Sequence, residues 1–319
     1  MDTIVSGGQQ TLLVKVRAVG RESPSVVSVD LVPADENQRL PAYEPGAHVD
    51  IRLPNGVVRQ YSLCGDGSPD GWKIAVKAVA GGAASGFIHR VVVPGTVLAA
   101  SPPRNNFPLL PAPNYVFVAG GIGITPLLPM LTAAAKAGAS FELHYCIGDQ
   151  AEDLFSAPRA SFGGATSTYI KQAGSRFDPQ ATLGAVRPGT LVYCCGPASL
   201  MEAVGQAMAA WPDGALHCEW FAAQAQPAGE DHPFELVCVR SGKTLYVPAD
   251  RSVLQVLGEA GIDVPRSCEI GVCASCEVPV VEGAIDHRDS ILSPQERAEG
   301  RTMFCCVSRA RGTRLALNL

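Results

Sequence analysis

Apolar and polar residues alternate through the first hundred positions of the chain, as they do in strands that are buried on one face. Segments of this kind occupy residues 14–19, 26–32, 49–53, 57–63 and 72–79. The tripeptide Pro54-Asn55-Gly56 separates two of them and is typical of a tight hairpin turn. Short strands punctuated by glycine and proline predict a small antiparallel β-barrel.

The pattern changes near residue 111, where apolar runs begin to alternate with helical periodicity. Strands are predicted at 115–119, 141–146 and 190–195, and helices up to about residue 136 and over 197–210. Alternating strands and helices predict an α/β domain with a parallel sheet. Residues 105–135 carry no charge, but five prolines interrupt them, so a membrane-spanning helix is not expected.

The last part of the chain follows a stretch rich in Ala, Gln, Pro and Gly at 222–233, which predicts a linker. Beyond it, residues 234–239 and 244–247 predict a hairpin. Two capping boxes predict helix starts, one formed by Ser252 with Gln255 and one by Ser293 with Glu296. Gly261 predicts the end of the first of these helices.

Composition narrows the class of protein. The chain has 319 residues, enough for two or three domains, and its formal net charge of −5 argues against a nucleic-acid partner. No long apolar run precedes Lys15, the first basic residue, so we expect no secretion signal and a cytoplasmic location. Disulfides are rare in that compartment, so the 11 cysteines point first to metal.

Three of these cysteines, Cys268, Cys273 and Cys276, have the C-x4-C-x2-C spacing of plant-type [2Fe–2S] sites. Gly271 gives their loop the freedom to turn three thiolates onto one small core. The alternatives are structural zinc, which prefers two C-x2-C pairs where this chain has one, and unligated core cysteines. The adjacent Cys305 and Cys306 both remain possible fourth ligands at this point, because neighbouring residues on a strand face opposite ways.

Five further cysteines lie in apolar segments and are predicted to be small buried hydrophobes; they are Cys64, Cys146, Cys194, Cys218 and Cys238.

Two glycine-rich turns suggest phosphate contacts. Residues 119–126, Ala-Gly-Gly-Ile-Gly-Ile-Thr-Pro, follow a strand and open a helix, where glycines allow a pyrophosphate to approach the backbone. They do not match G-x-G-x-x-G, and a tight packing turn is the alternative. In the second turn, Gly81 and Gly82 precede a short helix predicted at 86–90, which Ser85 would cap; an ordinary surface loop is the alternative.

Two further segments carry candidate contacts. Arg59, Tyr61 and Ser62 end a strand and offer a planar charge, a stacking ring and a hydroxyl. Asp149 follows the strand predicted at 141–146, and the segment to residue 153 contains three acids and no base. Because a 2′-phosphate would require an arginine at this position, the segment predicts a preference for NADH over NADPH.

Taken together, these segments resemble the phthalate dioxygenase reductase family, which includes the vanillate O-demethylase reductases. The resemblance covers almost the whole chain, and the order of its motifs (flavin, nicotinamide, ferredoxin) is its most specific part. The matching segments are Arg59-Gln60-Tyr61-Ser62-Leu63-Cys64, Pro103-Arg104-Asn105-Asn106-Phe107-Pro108-Leu109, residues 119–126, Cys195-Gly196-Pro197 and Cys306-Val307-Ser308-Arg309-Ala310.

The resemblance implies three domains: an FMN-binding β-barrel over 1–110, an NADH-binding α/β domain over 111–225 and a β-grasp [2Fe–2S] ferredoxin domain over 233–319. It places Cys306, rather than Cys305, as the fourth cluster ligand. The family's flavin loop often carries a basic residue after its glycines, where this chain has Ala83. The implied FMN contacts are Arg59, Tyr61, Ser62, Gly81, Gly82 and Ser85. The implied NADH contacts are Gly120, Gly121, Gly123 and Thr125, with Cys195 near the nicotinamide and with Glu219 and Phe221 near the flavin. The alternatives are a packed strand-end residue for Cys195 and a buried strand residue for Phe221.

The implied activity is that of the reductase component of a Rieske-type aromatic ring-hydroxylating oxygenase or O-demethylase. Hydride would pass from NADH to FMN, and single electrons would pass through the cluster to the oxygenase. One alternative is a reductase that serves a cytochrome or another acceptor. The other is a ferredoxin fused to an inactive scaffold, against which the flavin and nicotinamide motifs argue. We expect a monomer that docks through a mixed, partly apolar patch around residues 268–276, because acids and bases nearly balance beyond residue 233.

Overall fold

The computed structural model describes residues 11–68, 70–222 and 231–319. Most of the predicted linker, residues 223–230, lies outside these ranges. The chain divides into two compact units, one that ends at Glu219 and one that begins at Trp220. Within the described ranges, no helix has the length and apolar character needed to cross a membrane.

The first unit begins with a six-stranded antiparallel sheet in the order β4-β3-β6-β1-β2-β5. A bridge between Leu63 and Ile74 joins the end of β4 to β5, so the sheet closes on itself, as predicted for a barrel. The hairpin turn at Gly56, where φ is +81°, is also confirmed. The predicted fifth strand ends two residues early, and β6 was missed because it has only four residues. The elements are β1 Leu12–Arg21, β2 Val26–Pro33, β3 His48–Arg52, β4 Val58–Ser62, β5 Trp72–Lys77, α1 Ala83–Val91 and β6 Val97–Ala100.

The same unit continues with a five-stranded parallel sheet in the order β11-β10-β7-β8-β9. The prediction of a parallel α/β sheet is confirmed. The edge strands β9 and β11 were missed because they are short and mixed in polarity. The elements are β7 Asn114–Gly120, α2 Ile124–Lys136, β8 Ser140–Ile147, α3 Ser156–Ala160, β9 Thr166–Ile170, α4 Pro179–Leu183, β10 Thr190–Cys195, α5 Ala198–Ala207 and β11 Leu216–Glu219.

Helix α5 is shorter than the predicted span of 197–210. Pro197 is its N-cap rather than its first helical residue, and the helix ends at Ala207. A tyrosine of the preceding strand fixes the segment that joins the two sheets. The hydroxyl of Tyr193 accepts a hydrogen bond from the Leu110 amide at 2.7 Å and donates one to the Pro108 carbonyl at 3.0 Å.

The second unit has a mixed five-stranded sheet in the order β13-β12-β18-β14-β16 and a two-stranded ribbon of β15 and β17. Both capping boxes are confirmed, and Gly261, at φ +73°, follows α6 as predicted. Leu254 and Leu257 of α6 pack in one core with Phe304 and Leu315 of the sheet, which confirms the α+β class. The elements are β12 Phe234–Cys238, β13 Lys243–Val247, α6 Val253–Glu259, β14 Glu277–Glu282, β15 Ile285–Asp286, α7 Pro294–Glu299, β16 Thr302–Phe304, β17 Arg309–Ala310 and β18 Arg314–Leu317.

Candidate flavin, nicotinamide and iron–sulfur sites

The order of strands in the parallel sheet creates a crevice between β7 and β10. Strands β8 and β9 follow one another on one side of β7. The chain then crosses back and places β10 and β11 on the other side of β7. In open α/β sheets, ligands bind outside the carboxyl ends of the strands at such a reversal. The turn that follows β7 and the turn that follows β10 both lie there, so two sequence-predicted nicotinamide segments meet at one place.

The two turns interlock through glycines. A Cβ atom on Gly123 would lie 2.2 Å from the Cys195 carbonyl oxygen, and one on Gly120 would lie 2.4 Å from Cδ of Pro197. Both glycines are therefore required for close packing. Such a packing turn was the alternative to a phosphate contact in the interpretation of the sequence. Gly121, at φ +53°, has no atom of the described residues within 4 Å of its ideal Cβ position, so its backbone is open to a ligand on that side.

The hydroxyl group of Thr125 is not available to a ligand in this crevice. Its side chain is 3% exposed, and its Oγ1 donates a hydrogen bond to the Ile122 carbonyl at 2.9 Å. Thr125 therefore stabilises the turn from inside.

The barrel and the parallel sheet meet at a carboxyl group. Ser62, at the end of β4, donates a hydrogen bond from Oγ to Oε2 of Glu219, at the end of β11, at 3.3 Å. Cys195 and Glu219 are paired across the neighbouring strands β10 and β11. Three residues singled out from the sequence are thus brought together from segments up to 157 positions apart.

Burial controls the protonation of this group of side chains. It raises the pKa of Glu219 to about 8, and the hydrogen bond from Ser62 offsets part of that shift. The pKa of the Cys195 thiol is raised well above its ordinary value, first by burial and then by the nearby Glu219. At neutral pH both groups are mainly uncharged, so Cys195 is a packed thiol rather than a nucleophile.

Of the other candidate flavin contacts, Arg59 and Tyr61 lie on the barrel, whereas Phe221 follows β11. Arg59 is exposed on β4, and its Nη1 donates to the Val58 carbonyl at 2.8 Å. Tyr61 is half-buried, and burial raises its pKa to about 12. Phe221 is 44% exposed.

The predicted cap of the second glycine turn is wrong. Helix α1 begins at Ala83 and has Gly82 as its N-cap, so Ser85 lies inside the first turn. The Ser85 hydroxyl accepts from the Val79 amide at 3.1 Å and is 8% exposed, which leaves it committed to the fold. The helix N-terminus that follows Gly82 can still offer backbone N–H groups to a phosphate.

The segment after β8 is less acidic in effect than its sequence suggests. Asp149 accepts a hydrogen bond from the Ala151 amide and caps the short 3-10 turn Gln150–Glu152. Asp153 is paired with the buried Arg159, and Glu152 accepts hydrogen bonds from two serines of the barrel. Of the three acids in this segment, Asp149 is the one whose carboxylate remains available to a ligand at the end of β8.

The cysteine loop of the second unit turns its backbone toward its sulfur atoms. The amide of Ile270 donates to Sγ of Cys268 at 3.4 Å, and the amide of Ser275 donates to Sγ of Cys273 at 3.5 Å. Gly271 has φ +74°, and a Cβ there would lie 2.8 Å from Cγ2 of Val307. Amide groups aimed at sulfur are what a cluster with negatively charged thiolates and sulfides requires.

Four thiols of this unit form two pairs. Cys268 is hydrogen-bonded to Cys273, which lowers the pKa of Cys273, and Cys306 is hydrogen-bonded to Cys276, which lowers the pKa of Cys276. Over the part of the chain that the structure describes, no three acidic, histidine or cysteine side chains form a group that could hold a single metal ion. Two thiolates for each of two irons is the arrangement that a [2Fe–2S] core needs, so the residues fit this group.

The two candidates for the fourth ligand differ in their surroundings. Cys305 is fully buried, and burial is the main cause of its raised pKa. Its carbonyl accepts from the Leu254 amide of α6 at 2.9 Å. The thiol of Cys306 is instead hydrogen-bonded to the thiol of Cys276. Of the remaining cysteines, Cys64, Cys194 and Cys238 are buried as predicted, whereas Cys146 and Cys218 are partly exposed.

Comparison with known proteins agrees with this arrangement. The sequence-family model of the 2Fe-2S iron-sulfur cluster binding domain matches residues 237–311 of this chain. A toluene-4-sulfonate monooxygenase system reductase subunit of Comamonas testosteroni is 37% identical over 95% of this chain and 96% of its own length. The solved structure of phthalate dioxygenase reductase superposes with a TM-score of 0.71 at 35% identity, covering 97% of this chain and 98% of that one. The chain belongs to the phthalate dioxygenase reductase family.

A larger protein contains the same fold as one part. An intact type IV self-sufficient cytochrome P450 monooxygenase matches with a TM-score of 0.90 at 36% identity over 100% of this chain, which spans 43% of the length of that protein. As a member of the reductase family, this chain is an oxidoreductase of an oxygenase system. It has flavin- and nicotinamide-binding domains and a [2Fe–2S] domain, and it passes electrons to an oxygenase.

Proposed function

We propose that this reductase oxidises NADH, uses FMN as its flavin and delivers electrons singly, through the [2Fe–2S] cluster held by Cys268, Cys273, Cys276 and Cys306, to a Rieske-type oxygenase component. We assign the FMN domain to residues 1–110, the NADH domain to 111–225 and the ferredoxin domain to 233–319, and we expect the protein to act as a monomer.

One observation carries the proposal: the contact of Ser62 with Glu219 beside Cys195. Ser62 belongs to the flavin motif, whereas Cys195 and Glu219 end neighbouring strands of the sheet that carries the nucleotide turn. Hydride transfer requires its two reacting atoms to lie about 3–3.5 Å apart, so the two motifs must meet in space. Their meeting at one partly buried carboxyl supports a hydride-transfer site at this place.

The residues at this place would orient the dinucleotide and would keep negative charge away from the flavin. A flavin, when bound, accepts a hydride from a reduced nicotinamide and releases electrons one at a time to an iron–sulfur centre. Neutral Glu219 and the neutral thiol of Cys195 leave no negative charge beside the position that gains electrons. Ser62 holds the carboxyl in place through its hydroxyl. The open backbone at Gly121 would receive the dinucleotide, and Asp149 would accept hydrogen bonds from its ribose.

Among the described residues of the barrel we find one phosphate position, at the N-terminus of α1, and no evident aromatic platform for an adenine, which favours FMN over FAD. Phosphate binding there would depend on backbone N–H groups and on the exposed Arg59, since no basic side chain follows the glycines.

The test is a spectrum followed by cofactor release. Purified protein should be red-brown, with absorption from both flavin and [2Fe–2S], and acid should release FMN. NADH should bleach the flavin and then reduce the cluster. A colourless protein would exclude the proposal, whereas release of FAD would overturn the choice of flavin alone.

A second acceptor is favoured by one specific observation, the match of this chain to 43% of the length of a self-sufficient cytochrome P450 monooxygenase. The two candidates are separated by measuring cluster reoxidation with a purified Rieske oxygenase and with a purified cytochrome P450. Fast reoxidation by the cytochrome P450 but not by the Rieske oxygenase would show that the acceptor is a haem protein.

A further inference from the structure

A hydrogen-bonded contact joins the nucleotide side of the first unit to the barrel at a second place. Oε2 of Glu152 accepts hydrogen bonds from Oγ of Ser23 at 2.8 Å and from Oγ of Ser25 at 2.5 Å. The serines lie in the turn between β1 and β2, 127 and 129 positions away in sequence. We call the Glu152 carboxylate and these two hydroxyls the Glu152 latch.

The barrel half of the latch is organised by its own turn. The Ser23 amide donates to the Val26 carbonyl at 3.2 Å, and the Ser25 amide donates to Oγ of Ser23 at 3.2 Å. Ser23 is 6% exposed. The two hydroxyls therefore need little ordering when they bind the carboxylate, and hydrogen bonds to a charged acceptor are among the stronger ones in proteins.

The other half of the latch lies within the turn that begins at Asp149. The Glu152 amide donates to the Asp149 carbonyl at 3.0 Å, so Asp149 and Glu152 share one 3-10 turn. Beyond the turn, Asp153 pairs with Arg159, which is 5% exposed and lies over the ring of Tyr145 at 4.5 Å. The turn is thus fixed to its own sheet on one side and to the barrel through Glu152.

We propose that Glu152 is a positioning residue for the nicotinamide nucleotide: it holds Asp149, and hence the ribose end of the nucleotide site, at a set place relative to the flavin barrel. Both ends of the nucleotide must be placed at once for hydride transfer, because a displacement of about 1 Å can cost on the order of a hundredfold in rate. This inference rests on the proposed nucleotide site. It gives Glu152, one of the three acids from which the sequence predicts a preference for NADH, a structural role in the nucleotide site.

The test is rapid-reaction reduction of the flavin in the holoenzyme over a range of NADH concentrations, which separates the apparent Kd for NADH from the limiting rate. The variants are Glu152→Ala, the pair Ser23→Ala with Ser25→Ala, and the triple combination. Glu202→Gln, an exposed acid on α5, and Ser161→Ala, an exposed serine beyond α3, are the matched controls.

We expect Glu152→Ala and the serine pair each to raise the Kd by about tenfold, as loss of hydrogen bonds to a charged group predicts, and to lower the limiting rate of flavin reduction, because the displaced nucleotide no longer presents its hydride at the reacting distance. The triple variant should be no worse than either, because all of them break one contact. Glu152→Gln, which keeps an acceptor oxygen, should recover part of the affinity. Hydrogen exchange of the amides at 150–153 should accelerate in the same variants with the flavin content unchanged.

Three results would overturn the latch: wild-type Kd values in all variants, additive effects in the triple variant, or a raised Kd for Glu152→Ala without one for the serine pair. The last would mean that Glu152 touches the nucleotide itself. Failure of the proposed function is visible separately, since wild-type flavin would then not be reduced by NADH. If NADPH reduces it instead, the same variants are compared with NADPH.

Discussion

Replacement of Glu219 by glutamine tests whether the carboxyl at the meeting point of barrel and sheet must be uncharged. Glutamine has nearly the same shape and remains neutral at every pH. In the native chain, burial raises the pKa of Glu219 to about 8, so the neutral form dominates at pH 7. One pH unit above that pKa, about a tenth of the molecules retain the neutral carboxyl.

We expect flavin reduction by NADH to be level up to about pH 7 and to fall to about a tenth of its plateau at pH 9, because a partly buried negative charge opposes electron gain beside it. The Glu219→Gln variant should show a level profile over the same range. The assay is stopped-flow flavin reduction at saturating NADH. If the variant keeps the same alkaline fall, another group is responsible and the reasoning about Glu219 is wrong.

The same shift affects stability and can be measured without a nucleotide. A carboxyl whose pKa rises from 4.5 to about 8 on folding favours the folded state below pH 4.5, and this contribution is lost as the pH rises toward 8. The fully buried limit is about 5 kcal/mol, and partial exposure of Glu219 reduces our expectation to about 2 kcal/mol. Urea unfolding between pH 5 and 8 should show this decline in the native protein and a smaller one in Glu219→Gln. Equal slopes would contradict the raised pKa.

Four further predictions follow from the sites. Cys306→Ser should lose or strongly perturb the cluster spectrum while the flavin stays, whereas Cys305→Ser should leave it nearly intact; the opposite result would exchange the ligand assignment. kcat/KM should favour NADH over NADPH by at least about tenfold and Asp149→Ala should narrow the gap, since an acid at the ribose disfavours a 2′-phosphate; comparable native values would refute this. Arg266→Glu should slow electron transfer to the oxygenase without changing flavin reduction, and equal effects on both steps would exclude the cluster loop as the docking face. Gly123→Ala should destabilise the protein by about 2 kcal/mol, because its Cβ would meet a backbone carbonyl; an unchanged Tm would argue against the interlocked turns.

Features set by short-range physics could be predicted from the sequence. The hairpin at Gly56, the two capping boxes and the span of α2 depend on hydrogen bonds and periodicity within a few residues, and each is confirmed. The spacing of the first three loop cysteines belongs to the same class, because one tight loop carries all of them. The misplaced start of α1 shows the limit of such reasoning, since Gly82 caps the helix where Ser85 was expected.

Features that depend on pairing between distant strands could not be predicted in this way. The sequence contains Ser62, Glu219 and Glu152, but no local pattern indicates that Ser62 meets Glu219 or that Glu152 meets the serines of another domain's turn. Those contacts depend on the order of strands in the parallel sheet and on how the barrel packs against it. Packing of this kind is decided by the burial of whole faces, so the sequence by itself determined which chemical groups are present, and the tertiary structure decided which of them act together.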